Sequence, residues 1–169
     1  MTIKAAGLHV KPGDQLPSVG LRATDGFLLN LRSFVGKQPV VFVFFGAPTL
    51  SGAAREAGDA LLDGLKHAYP RITQAGVALV GITCDNEEQQ KQCVEEQGLP
   101  FLLFSDERRS AVELLGVPTT VQADNYNAVP TAFAVGIDGT IVDIVENATP
   151  KGLVARLLES IEEARPASS

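Results

Sequence analysis

Two stretches of the chain are apolar almost throughout. Residues 39–45 read Pro-Val-Val-Phe-Val-Phe-Phe, and residues 77–84 read Val-Ala-Leu-Val-Gly-Ile-Thr-Cys. Short runs of this kind, rich in β-branched and aromatic residues, predict strands covered on both faces in the middle of a sheet. Between them, Ala57, Ala60, Leu61, Leu65 and Ala68 recur at helical spacing, which predicts a helix over 53–68 that Pro70 ends or kinks. After the second run, Asp85 reads as an N-cap with Glu88 completing a capping box, and the helix that follows stops at Gly98. Residues 101–104 predict a third strand and 107–115 a short helix. Residues 132–135 and 140–145 flank Gly136-Ile137-Asp138-Gly139 as a hairpin. Thr149-Pro150 reads as a cap and first helical residue, opening a helix with Leu153, Leu157 and Ile161 on one face. Near the start, 19–24 and 27–31 form a hairpin around Asp25-Gly26. The polar, unperiodic run 122–127 is expected to be a loop over the sheet edge.

The order is hairpin, β, α, β, α, β, α, β-hairpin, α. It predicts an α/β domain with a mixed central sheet, helices on both faces and an added N-terminal β-hairpin. A length of 169 residues fits one domain. Its expected limits are 11–164, preceded by a segment over 1–10 and followed by a flexible tail over 165–169. The net charge of −6, without clustered Lys or Arg, argues against nucleic acid and anionic membrane as partners. No apolar stretch follows Lys4, so no signal peptide is expected, and a cytoplasmic location is the default.

Candidate chemistry is sparse. Two cysteines, Cys84 and Cys93, are too few for a disulfide framework, and with two distant histidines, His9 and His67, they make a zinc site improbable. No metal and no cofactor are expected. Cys84 ends a buried strand at the sheet edge where α/β folds build sites, so it reads either as a displaced nucleophile or as a small core residue, the second being favoured. Cys93 falls at an apolar helix position, where the core reading is stronger. Ser51 lacks a base supplied by nearby sequence and reads as a helix-capping hydroxyl.

Four stretches resemble the redoxins. Gly13-Asp14-Gln15-Leu16-Pro17-Ser18 is similar to the family's opening Gly-Asp-x-x-Pro, and residues 40–47 resemble the strand before its active site. Gly98-Leu99-Pro100-Phe101 with Ser105-Asp106 resembles the bacterioferritin-comigratory type of peroxiredoxin. Val129-Pro130-Thr131-Ala132-Phe133 with Asp138-Gly139-Thr140-Ile141 resembles the late strand of thiol-disulfide redoxins. Together they cover about residues 11–162. The resemblance implies a thioredoxin-like fold of the peroxiredoxin (AhpC/TSA) kind, with antioxidant thiol chemistry and frequent homodimers.

The same resemblance implies a reactive thiol at the start of the helix after the first buried strand. There, unpaired N–H groups and the positive end of the helix dipole stabilise a thiolate. The segment here reads Pro48-Thr49-Leu50-Ser51-Gly52-Ala53. Against a Cys-x-x-Cys pattern the two cysteine positions are Leu50 and Ala53. Against Thr-x-x-Cys the threonine is Leu50 and the peroxidatic cysteine is Ala53. The helical resolving position falls at Gly58, and the assisting late-strand arginine falls near Pro130, which is expected to face the same loop. Pro48 to Ala53 with Pro130 thus form a former active-site pocket without its thiol. The expected function is a redoxin domain that has lost its reactive thiol and binds a small ligand or protein partner, or carries non-thiol chemistry in the old pocket. The alternative is a thiol-dependent peroxidase whose peroxidatic cysteine is replaced by Ala53 in the chain as it stands, or one that uses Cys84 instead.

Overall fold

The structure, a computed structural model, describes residues 3–4, 8–23, 28–46, 52–101, 103–122 and 125–165. In chain order the strands are β1 (Ile3–Lys4), β2 (Gly20–Ala23), β3 (Leu28–Asn30), β4 (Val40–Phe44), β5 (Ala78–Thr83), β6 (Leu103–Ser105), β7 (Thr119–Gln122), β8 (Asn125–Ala128), β9 (Thr131–Val135) and β10 (Ile141–Glu146). The helices are α1 (Gly52–Gln74), α2 (Glu87–Gln97), α3 (Ser110–Leu115) and α4 (Leu153–Glu163).

Seven strands form one mixed sheet in the order β10-β9-β4-β5-β6-β2-β3. Strands β4, β5 and β6 run parallel; β9 and β2 pair antiparallel with β4 and β6, and β10 and β3 pair antiparallel with β9 and β2 at the outer edges. The two apolar runs occupy the centre as their composition requires. Every residue of β4 is buried, and its side chains alternate between two cores. Val41 and Val43 pack with Leu61, Leu65 and Ile72 of α1, Cys93 of α2, and Leu157 and Ile161 of α4. Val40, Phe42 and Phe44 face the opposite core with Val112 and Leu115 of α3 and Phe133 of β9. This is a thioredoxin-like arrangement with an N-terminal hairpin, β2–β3. The Asp25-Gly26 turn of that hairpin lies outside the described residues.

Several local expectations are corrected. Helix α1 does not end before Pro70 but continues to Gln74. A mid-helix proline costs about 3 kcal/mol. Continuing the helix puts Ile72, 1% exposed, on the same buried face as Leu61 and Leu65. The α2 cap is Asn86, one residue later than expected. Its Oδ1 accepts from the Gln89 N–H at 2.8 Å, and Gln89 Oε1 accepts from the Asn86 N–H at 2.9 Å. Asp85 is still bound to the sheet, where its carbonyl accepts from Ser105 Oγ. Helix α4 starts at Leu153 rather than Pro150, because Gly152, with φ of 71°, interrupts any earlier helical turn. The run 122–127 is not a plain loop. Strands β7 and β8 pair antiparallel, and β1 joins β7, giving a separate three-stranded sheet. Its buried positions include the polar Thr119 and Asn127, which hides the usual alternation of apolar and polar residues.

Candidate functional site

The connection from the carboxyl-terminal end of β4 to α1 holds the positions expected of the former pocket. Beyond Phe44, Phe45 stays buried and its N–H donates to the Ile82 carbonyl at 3.1 Å, so the chain leaves the sheet only at Gly46. Pro48, Thr49, Leu50 and Ser51 lie outside the described residues. Helix α1 then opens at Gly52, which makes Ala53 its second residue, among the N–H groups that have no partner within the helix. On the neighbouring strand, Thr131 sits opposite Phe44. Pro130 therefore immediately precedes β9 at the same sheet edge. It is half-buried, and its carbonyl accepts from the Ala148 N–H at 2.9 Å. Pro130 thus stands at the edge from which the chain leaves β4 toward α1. Farther along α1, Gly58 is buried. Arg55 Nε donates to both carboxylate oxygens of Asp59, at 3.1 and 3.2 Å. Gln97 Nε2 of α2 donates to the same carboxylate at 3.0 Å, tying the two helices together.

The two thiols stand on other elements. Cys84 follows the last residue of β5 and is half-buried. Burial, reinforced by the nearby charges of Asp106 and Asp85, pushes its thiol up to about 12. Arg109 and the Ala128 N–H pull the other way without overcoming this. Cys93 lies on the inner face of α2 at 1% exposure. Burial pushes it up to about 11, against the lowering influence of Arg55. Both are free thiols. A thiol reacts through its thiolate, and neither environment favours one.

A buried polar cluster at the carboxyl-terminal ends of β5 and β6 is not foreseen as a unit by the sequence. Gln90 is fully buried and donates from Nε2 to Thr83 Oγ1 at 2.8 Å and to the Phe104 carbonyl at 2.7 Å. It pins α2 to both strands. Asp106, 2% exposed, accepts from the Ala111 N–H at 3.0 Å and from the Val112 N–H at 2.9 Å. Its carboxylate supplies the cap that Arg109, at the N-cap position with φ of 61°, does not. Burial raises the Asp106 carboxyl above the ordinary range, although backbone N–H groups of α3 oppose the shift. The Ser105-Asp106 pair is the sequence signal for this cluster, and it does not reveal the cap. Bordering the cluster, a cleft of about 470 Å³ is lined by Arg22, Glu87, Asp106 and Arg108. An Arg22–Glu87 ion pair at 3.5 Å lies on it. Among the described residues, no group of three or more His, Cys, Asp or Glu could hold a metal ion. No helix among them is long and apolar enough to cross a membrane.

Comparison with known proteins follows the same lines. A model of the AhpC/TSA family matches residues 12–144. A peroxiredoxin of Mycobacterium tuberculosis is 31% identical over 152 residues, covering 88% of this chain and 93% of its own. The chloroplastic peroxiredoxin Q of Populus jackii is 33% identical over 121 residues, 72% of this chain. The chain spans about half the length of such chloroplastic relatives, 52% in that case. Among solved structures, peroxidoxin BcpB of Mycobacterium tuberculosis superposes with a TM-score of 0.77 at 20% identity, covering 94% of this chain and all of that one. A cysteine-to-serine mutant of Xylella fastidiosa PrxQ gives 0.76 at 16% identity, covering 93% and 98%. These two likenesses concern the fold. With the family model spanning most of the chain and a relative of matching length beside it, the protein belongs to the AhpC/TSA family and is a peroxiredoxin-like redoxin on a thioredoxin-like scaffold.

Proposed function

We propose that this chain is a peroxiredoxin-family protein without thiol peroxidase chemistry of its own, which works by binding a small ligand or a protein partner. The observation that carries the reading is the residue at the start of α1. A peroxidatic centre needs a thiolate where the helix end can stabilise it, and the second residue of α1 is Ala53, an alanine, which has no group able to attack a peroxide. The ionisation of the remaining thiols supports the same reading. At neutral pH a thiol with a pKa of about 12 holds only about one part in 10⁵ as thiolate. Pro130 supplies no guanidinium beside the pocket. A reducing cytoplasmic setting, in which Cys84 and Cys93 remain thiols, belongs to the same proposal.

A second reading is favoured by the relatives, which bear the peroxiredoxin name. In it the scaffold is a thiol-dependent peroxidase that lacks only the cysteine at position 53, or that has moved its chemistry to Cys84. Peroxide consumption with a dithiol reductant separates the readings. The expected result is no turnover above the reductant blank, either for the chain as it stands or for Cys84→Ser. Turnover by the unaltered chain that disappears in Cys84→Ser would overturn the proposal and make Cys84 the nucleophile. Turnover only in Ala53→Cys would mean that the pocket remains competent and lacks a thiol alone. An inactive Ala53→Cys that still folds would mean that the loss of thiol chemistry extends to the surroundings, Leu50 and Pro130 included.

A further inference from the structure

We draw no further inference here: the strongest candidate, the apolar cleft of about 460 Å³ at the amino-terminal end of β5, lined by Phe34, Tyr69, Val77, Leu99, Phe101 and Phe104, is an unpartnered apolar surface, and nothing in the structure shows what covers it.

Discussion

The ionisation of Cys84 yields a rate that can be measured directly. The perturbation is Cys93→Ser, which leaves Cys84 as the sole thiol, and the assay is the absorbance change on reaction with an aromatic disulfide reagent at pH 8. In the unfolded chain, a thiol with an ordinary pKa of about 8.5 is about one-quarter thiolate at this pH. In the folded chain, with the thiol pushed up to about 12, the fraction is about one part in 10⁴. The ratio is about 2,000-fold. A more basic thiolate is also a better nucleophile, with a Brønsted slope of about 0.4–0.5, which returns about 25- to 55-fold. Native Cys84 should therefore react about 35- to 80-fold more slowly than the same thiol in denaturant, before any steric hindrance from its half-buried position. The native rate should also climb close to tenfold per pH unit between pH 8 and 10, because the thiol is still far from half-ionised there. A native rate within a few-fold of the denatured one, with a plateau near pH 9, would refute the assigned environment and reopen Cys84 as a nucleophile.

The fold and its polar anchors give further expectations. Val43 is fully buried at the centre of β4, so Val43→Asp should prevent folding through a burial cost of several kcal/mol; a soluble variant that unfolds cooperatively would contradict the sheet assignment. Gln90→Leu removes both donors that tie α2 to Thr83 and the Phe104 carbonyl, and should cost about 1–3 kcal/mol in urea unfolding with faster amide exchange in α2; unchanged exchange there would remove Gln90 as the pin. Asp143 is partly buried, and that raises its carboxyl, but hydrogen bonds from Arg156, Ser160 and the Ile144 N–H outweigh burial and hold it below the ordinary range. A depressed carboxyl contributes stability that is present above its unfolded pKa of about 3.9 and is lost as pH falls through the folded value. Asp143→Asn should thus lower stability at pH 7, by urea unfolding, by an amount that solvent screening of the exposed Arg156 keeps small, and progressively less below pH 4; a cost that stays constant into acid would rule out the ionic contribution.

Much of the architecture was legible in the amino-acid order because the signals were local. Residues 39–45 and 77–84 are apolar on both faces, and strands β4 and β5 are covered on both faces. Gly98 can adopt the left-handed conformation that ends α2, with φ of 59°, so its position marked the stop. The residues between the first buried strand and α1 already carried no thiol, and Ala53 as the second residue of α1 needs only the helix boundary to give it meaning.

What the tertiary structure decided depends on partners far away in the chain. Pro70 by itself predicts an end or a kink, because its missing N–H is a local property. The buried face that carries α1 past it is made by distant strands and by α4. The β7–β8 hairpin was hidden because Thr119 and Asn127 are buried polar residues, and their places are set by pairing between the strands and with β1, more than a hundred residues upstream. Cys84 shows the same division in chemical terms. Its identity as a thiol is a fact of sequence, but its ionisation is set by burial, by Asp106 and Arg109 beyond β6, and by the Ala128 N–H at the end of β8. Periodicity and capping residues report on contacts within a few positions of the chain. Desolvation and Coulomb interactions act through space, between groups that only the folded chain brings together.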